Sequence, residues 1–464
     1  MPVRCFQVIL DSNESKAKMI QDDAQIRNER GEDQNRYAGI GPGQMPSISG
    51  RNGVKTIKYK VTSEMWDPRQ GKSIPTPEVI LRKIRRVLDL WQSVSEAGLK
   101  FEYDGFAGPG YSSHVELPKD GKLYFVLNGS QKYGNMFSGS GGYSGKIPAG
   151  YEKGYVFINT KAGLYTLSLK TLVHETGHAL GITRHAADCG TVMHCGTPAW
   201  GDLEFFTLSE HDRTNFVYLW NRNKMPAISG KVITKKSKFM YVYAVNVVNG
   251  RAFFAETDMK GNYLIPILQP GRYKVFAKAN EASVFGNATA QWPSWYISAS
   301  ASTNDPGKAE EFDVSNREIK NVDIVVIDKP SPFNFWWSSA LYDYKERDFA
   351  RRVPSFLRPG HSVSFQLDFN EKKISSVETF GSAPDYVVVG FDRNKNMISV
   401  QAKNNAQPGH RLFLARDKSD FIQAGVVGVH IIGNQLPGFV PGKVEDQFAN
   451  NLDFNQFDVE YWKK

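Results

Sequence analysis

One run of five residues, His174-Glu175-Thr176-Gly177-His178, combines the side chains that bind a metal ion and activate water. On an α-helix, residues four positions apart lie on one face, so the imidazoles of His174 and His178 can meet one Zn²⁺ ion. Glu175 would flank the metal-bound water and take its proton as a general base. Catalytic zinc sites have three protein ligands and keep one position open for that water. The run therefore predicts a zinc-dependent hydrolase with Glu175 as its catalytic residue.

A third metal ligand is expected just beyond this helix. Gly181 is a residue at which the helix can end and the chain can turn back. His185 follows it and is predicted as the third zinc ligand. Asp188 stays open as an alternative, because a carboxylate oxygen also binds zinc. Arg184 is excluded, since its guanidinium cannot be deprotonated to bind a metal.

The elements that must position this site can be predicted from the surrounding pattern. Apolar residues at 169, 172, 173, 179 and 180 give the metal-binding helix its core-facing sides. Thr76-Pro77-Glu78 predicts an earlier helix start, and a continuous apolar stripe follows it at Ile80, Ile84, Val87, Leu88 and Trp91. A capping box at Thr207-Leu208-Ser209-Glu210 predicts a closing helix.

Alternating or apolar runs predict strands at residues 56–61, 99–103, 123–127 and 154–159. The stretch from Ser138 to Gly150 is rich in Gly and Ser and is predicted as a loop. This order places a helix between the first two strands and the metal-binding helix after the last.

The order of these features resembles the metzincin clan of zinc endopeptidases. The clan's signature is an extended HExxHxxGxxH segment followed by a methionine-containing turn, and Met193 stands in the corresponding place here. The likeness to the matrixin branch covers roughly residues 50 to 222. It implies a zinc ion on His174, His178 and His185, with Met193 forming the hydrophobic floor beneath it. The chain departs from the family pattern at Arg184, which occupies the expected third-ligand position.

Three cysteines have separate interpretations. Cys189 and Cys195 bracket Met193, and a disulfide could close that loop in an oxidising compartment, while two buried free thiols are the alternative. Cys5, in Pro2-Val3-Arg4-Cys5, loosely resembles the Pro-Arg-Cys motif of matrixin pro-segments. That resemblance implies an inhibitory thiol on the zinc ion, although the glycine and proline that normally follow are absent.

The C-terminal part of the chain carries no further chemistry. Short strands separated by turn residues, at 228–233, 241–245, 255–263 and 268–275, predict a small antiparallel β-sandwich. The string SGKV, followed by TDMKGNYLIPILQPGRYKVFA, resembles a transthyretin-like or carboxypeptidase regulatory-like domain over residues 226–328. Runs at 362–367, 386–389, 397–400 and 425–432 predict a second sandwich over 330–464. His211, His361 and His410 lie outside any ligand spacing and are interpreted as ordinary surface or cap residues.

Length and composition agree with several folded domains. A chain of 464 residues with 41% hydrophobic and 12% aromatic residues is globular and too long for one ordinary domain. Its net charge of +9 is mild and accompanies no nucleic-acid motif. No stretch approaches the ~20 apolar residues of a membrane span. Residues 1–53 are predicted as a flexible arm or pro-segment without a visible signal peptide.

These observations predict an α+β protein in which a metzincin domain at 54–224, a twisted mixed sheet with three helices, precedes two all-β sandwiches. The predicted function is a secreted zinc endopeptidase that hydrolyses peptide bonds of protein substrates. The sandwiches would contact a matrix, cell-wall or host-surface partner, and calcium stays open as a second ion. The alternative is a catalytically inactive adhesion or binding protein, which Arg184 favours.

Overall fold

The computed structural model describes residues 3–5, 55–67, 70–108, 111, 116–127, 139–147, 150–162, 167, 169–182, 192–193, 208, 210–221, 225–234, 240–258, 260–279, 292–315, 317–329, 356–357, 360, 362–366, 374–395, 397–407, 409–419, 422–427 and 430–431. Within these residues there are three α-helices, namely α1 (Glu78–Gln92), α2 (Leu169–Ala179) and α3 (Glu210–Asn221).

Strands make up most of the remaining regular structure. In the N-terminal half they are β1 (Val3–Cys5), β2 (Lys55–Thr62), β3 (Glu64–Asp67), β4 (Lys72–Pro75), β5 (Leu99–Ala107), β6 (Lys122–Val126), β7 (Gly139–Lys146) and β8 (Gly150–Ile158). Those up to residue 325 are β9 (Ala227–Ile233), β10 (Met240–Asn246), β11 (Arg251–Glu256), β12 (Asn262–Pro266), β13 (Gly271–Ala279), β14 (Ser294–Ser298), β15 (Ala301–Thr303), β16 (Phe312–Val314), β17 (Glu318–Ile319) and β18 (Ile324–Val325). The last are β19 (Phe356–Leu357), β20 (Ser362–Gln366), β21 (Ile374–Thr379), β22 (Tyr386–Asp392), β23 (Met397–Ala402), β24 (His410–Asp417), β25 (Ile422–Val427) and β26 (His430–Ile431).

A six-stranded sheet, the first sheet, has the order β1-β7-β8-β6-β2-β5. Strands β5, β2, β6 and β8 run parallel, whereas β7 is antiparallel to β8 and β1 is antiparallel to β7. Helix α1 covers this sheet with the predicted apolar stripe, whose five members are all buried. The stripe, the helix start and the strands predicted at 56–61 and 99–103 are confirmed.

The prediction of a loop from Ser138 to Gly150 is wrong, because most of it forms strand β7. The glycines of this strand let the backbone of helix α2 come close. A Cβ atom added at Gly141 would lie 2.0 Å from the carbonyl oxygen of Glu175 and 2.9 Å from Cβ of His178. The segment forms a strand through its pairing with β8, and glycine is required where a side chain would push helix α2 away.

A nine-stranded sheet, the joint sheet, links the two regions predicted as separate sandwiches. Its main order is β15-β14-β13-β10-β11-β24-β21, with β16 on β13 and β25 on β24. Arg251 of β11 pairs with Arg411 of β24, and Ala252 pairs with His410. The sheet therefore continues from the region 226–328 into the region 330–464 without a break at their boundary.

The predicted strand at 255–263 is also wrong, because a turn divides it into β11 and β12. The Asp258 carboxylate accepts hydrogen bonds from the backbone N–H groups of Lys260 and Asn262, at 2.8 and 2.7 Å. Gly261 has φ of +82°, the left-handed conformation that glycine adopts most readily. Alternation alone did not distinguish this tight turn from a continuing strand.

The predicted fold class is corrected by these findings. The described chain is mostly β, with only three α-helices, and its C-terminal strands share a joint sheet instead of forming two independent sandwiches. The proposed domain boundaries at 54, 224, 226, 328 and 330 stay predictions. Among the helices described above, none is long and apolar enough to cross a membrane.

Candidate functional site

Helix α2 places the imidazoles of His174 and His178, the histidine pair, against each other. Their Nε2 atoms are 3.1 Å apart, and the two rings meet edge to face with centroids 4.8 Å apart. The i, i+4 spacing on the helix produces this geometry, as the sequence predicted.

The other nitrogen of each ring is held by a backbone carbonyl. Nδ1 of His174 donates to the oxygen of Val192, and Nδ1 of His178 donates to the oxygen of Ile182, each at 2.6 Å. In a neutral imidazole with its proton on Nδ1, Nε2 carries a lone pair. The two lone pairs of the histidine pair therefore face the same small volume.

This arrangement fits a zinc ion. Zinc–nitrogen bonds of 2.0–2.1 Å in a tetrahedral site place two ligand nitrogens about 3.3 Å apart. The 3.1 Å separation of the Nε2 atoms is close to that value. A carbonyl that fixes the far side of each ring is also the usual outer support of a metal-binding histidine. The histidine pair could thus provide two of the four ligands that zinc takes.

Burial keeps His178 in the neutral form that a metal requires. Desolvation lowers its pKa to about 4, against the smaller opposing effect of the hydrogen bond with Ile182. Only 1% of this residue is exposed, and His174 is 4% exposed. A neutral imidazole is the form in which His178 can bind a metal ion.

Glu175 lies on the same helix and is enclosed between elements. Glu175 is 1% exposed. Strand β7 packs closely against it, as shown by the 2.9 Å between its Cγ and a Cβ atom added at Gly139. Gly139 pairs in register with Cys5 of strand β1. Strand β1 therefore covers the edge of β7 next to the carboxylate.

Met193 packs beneath helix α2. A Cβ atom added at Gly177 would lie 2.3 Å from the Met193 sulfur and 3.0 Å from the indole of Trp91. The Trp91 indole N–H donates to the carbonyl of Val173 at 3.2 Å. A glycine at position 177 thus lets the methionine and the tryptophan of α1 contact the backbone of the helix that carries the histidine pair.

The end of helix α2 is fixed by two aromatic side chains. Gly181 has φ of +105°, so the chain leaves the helix there as predicted. The Tyr151 hydroxyl donates to the carbonyl of Ala179 at 3.2 Å, and the Trp220 indole donates to that of Leu180 at 3.0 Å. These bonds satisfy carbonyl groups that a helix end leaves without partners.

Several predicted site residues lie outside the described residues: Arg184, His185, Asp188, Cys189, His194 and Cys195, together with the side chain of Cys5. The third zinc ligand, the disulfide and the inhibitory thiol therefore stay predictions. Within the described part of the chain, no group of three His, Cys, Asp or Glu side chains is placed to hold a metal ion.

Sequence reasoning missed two parts of the site's surroundings. The Asp212 carboxylate accepts a hydrogen bond from the Val192 N–H at 3.0 Å, and so holds the residue whose carbonyl supports His174. His211 and His410, interpreted as ordinary surface or cap residues, are 6% and 1% exposed, so neither is a surface residue. The ring of His211 stacks on Phe254 of β11, at a centroid distance of 4.1 Å.

Comparisons with known proteins give no family for this chain. No family model matches it, and no curated protein matches it. A putative adhesin from Bacteroides ovatus is similar in structure, with 10% identity, 48% of this chain and 89% of that chain covered, and a TM-score of 0.15. A glycan-binding protein of the Bacteroides ovatus mixed-linkage glucan utilization locus, solved with a mixed-linkage heptasaccharide, has 11% identity, 44% and 40% coverage, and a TM-score of 0.13. The tip fimbrial protein Mfa3 from Porphyromonas gingivalis has 10% identity, 46% and 84% coverage, and a TM-score of 0.12.

These findings contradict the identification as a matrixin-like metzincin, and with it the predicted endopeptidase activity. No family model supports the resemblance, the similar structures are an adhesin, a glycan-binding protein and a fimbrial protein, and the described residues hold no three-ligand metal group. The TM-scores are too low for the similar structures to assign a function to this chain. The geometry of the histidine pair stands independently of that correction.

Proposed function

We propose that this chain is a non-catalytic binding protein, located at the cell surface or outside the cell, in which the histidine pair holds a structural zinc ion. The observation that carries the non-catalytic part is burial. His174, Glu175 and His178 are at most 4% exposed. Catalytic zinc sites keep a position open to water and substrate, whereas structural sites are closed.

The zinc ion would act on stability. It would bond to both Nε2 atoms and so hold the two rings in the orientation that the carbonyls of Val192 and Ile182 support. His185 stays the proposed third ligand, with Asp188 as the alternative. Binding of an ion to the folded state alone stabilises that state by mass action.

The partner-binding role is assigned to the β-rich remainder of the chain. The joint sheet draws its nine strands from both regions of the C-terminal part, and no group of three metal-ligating side chains is found among its described residues. A cell-wall or host-surface component is the proposed partner.

A two-part experiment on the full chain tests this function. Zinc content is measured after dialysis, and the same preparation is incubated with a library of peptides. We expect one zinc ion per chain and no cleavage. Peptide cleavage that Glu175→Gln abolishes while zinc stays bound would overturn the non-catalytic proposal, and an absence of zinc would overturn the metal site.

The partner class is tested by immobilising the full chain and passing over it cell-wall polysaccharides and host-surface glycoproteins. We expect saturable binding of one class that His174→Ala does not abolish at low temperature, because His174 lies on helix α2 and not on a strand of the joint sheet. Failure of both classes to bind would refute the adhesion role.

A further inference from the structure

The first turn of helix α3 contacts the joint sheet and the support of the histidine pair at the same time. Glu210 begins the helix with a side chain that has no exposed surface, and its Oε2 lies 2.7 Å from the Arg251 guanidinium of strand β11. Arg251 also donates to the side-chain oxygen of Gln269 at 2.9 Å. A buried pair of this kind is geometrically demanding, because removing one partner leaves the other charge buried alone.

The same helical turn reaches the histidine pair through Asp212. Its carboxylate accepts from the N–H of Val192, and the carbonyl of Val192 accepts from Nδ1 of His174. Asp212 is fully buried, as are Val192 and its neighbour Met193. A shift of this turn would therefore move Val192, whose carbonyl supports the orientation of the His174 ring.

The C-terminal part of the chain joins the same network. Arg411 of β24 stands opposite Arg251 in the joint sheet, and Asp385 holds its guanidinium with two hydrogen bonds of 2.8 and 2.7 Å. Between Glu210 and Asp212, the His211 ring stacks on Phe254, which also contacts His410 of β24 edge to face. Three consecutive residues of this turn thus have different contacts. Glu210 and His211 contact strand β11 of the joint sheet, and Asp212 contacts Val192, which supports His174.

We infer that the first turn of α3 couples the joint sheet to the zinc site, so that a change in the sheet alters the metal affinity of the histidine pair. This inference rests on the proposed zinc site. By thermodynamic reciprocity, zinc binding must in turn change the stability of the strands that hold Arg251 and Arg411. A partner bound to the sheet would then affect how firmly zinc is held.

Variants that touch neither histidine test the coupling. In Glu210→Gln and the milder Arg251→Lys, we expect the zinc dissociation constant, measured by competition with a chelator, to rise about fivefold or more, which is the lower end of typical coupling factors. The matched control is Arg272→Met on strand β13, which breaks an exposed ion pair with Glu311 of 3.0 Å. The control should leave zinc affinity unchanged.

A second measurement needs no zinc and separates this inference from the proposed function. In the metal-free full chain, selective ¹⁵N-histidine labelling reports the Nδ1 environment of His174, which is assigned by comparison with His174→Ala. We expect Glu210→Gln to shift that signal and Arg272→Met to leave it in place. An unchanged His174 signal in both Glu210→Gln and Arg251→Lys would overturn the coupling, whether or not the wild type binds zinc. Failure of the wild type to bind zinc would overturn only the proposed metal site.

Discussion

Adding one methyl group at Gly141 should damage the histidine site from outside it. Gly141 lies in strand β7 directly against helix α2, and the new Cβ of Gly141→Ala would lie 2.0 Å from the carbonyl oxygen of Glu175. It would also lie 2.9 Å from Cβ of His178. The closest atoms belong to the helix backbone, so no side-chain rotation can relieve the contact.

The size of the effect follows from this rigidity. Overpacking a well-packed core destabilises proteins by roughly 1–3 kcal/mol, and we expect the upper end, because β7 is also paired with β8 and β1. For a unit of roughly 150–250 residues, about 3 kcal/mol lowers the melting temperature by about 6–12 °C. Zinc affinity should fall as well, since His178 is displaced with its helix.

Scanning calorimetry with and without zinc measures both effects. The matched control is Gly108→Ala, because a Cβ atom added at Gly108 meets nothing within 4 Å. If the melting temperature of Gly141→Ala were indistinguishable from that of Gly108→Ala, the close contact between β7 and α2 would be wrong.

Three further predictions concern other contacts. His174→Ala should lose stoichiometric zinc, measured by metal analysis, while Glu175→Gln should retain it; equal retention in both would remove His174 from the ligand set. Trp220→Phe deletes the hydrogen bond that supports the end of helix α2 and should destabilise the protein by about 1–2 kcal/mol in denaturant unfolding, because a buried carbonyl is left unpaired. Burial raises the pKa of Asp385, but the hydrogen bonds from Arg411 outweigh it and hold that pKa below its usual value. The stability from this pair should therefore be present above about pH 4 and be lost as pH falls through the lowered pKa. Asp385→Asn should weaken this acid dependence, and an acid unfolding profile unchanged in that variant would contradict the prediction.

Local periodicity was sufficient to predict the elements with one buried face. The stripe of helix α1 follows the helical period, and each of its members is buried where the pattern places it. The histidine pair was predictable for the same reason, since four residues on a helix bring two side chains together. These features depend on residues that are close in sequence.

Features set by distant residues were not predictable in this way. Strand β7 has the composition of a loop, and only its contact with helix α2 explains its glycines. His211 and His410 have ordinary polar neighbours in sequence. His410 is buried where β24 pairs with β11, and the ring of His211 stacks on Phe254 of β11. Asp212 acts on His174 through the backbone of Val192, a relation that no side-chain spacing encodes.

The joint sheet also has a consequence for synthesis of the chain. Strand β11 leaves the ribosome long before β24, because Arg251 and its partner Arg411 are far apart in sequence. At typical synthesis rates, the roughly 160 residues between them take on the order of 10–30 s to appear. During that interval the backbone edge of β11 has no β24 to pair with, and an unpaired edge strand invites pairing with other chains. Expression at lower temperature, or with chaperones that shield nascent strands, should therefore raise the yield of soluble full-length protein. The increase should be larger than for a chain whose strands pair in sequence order.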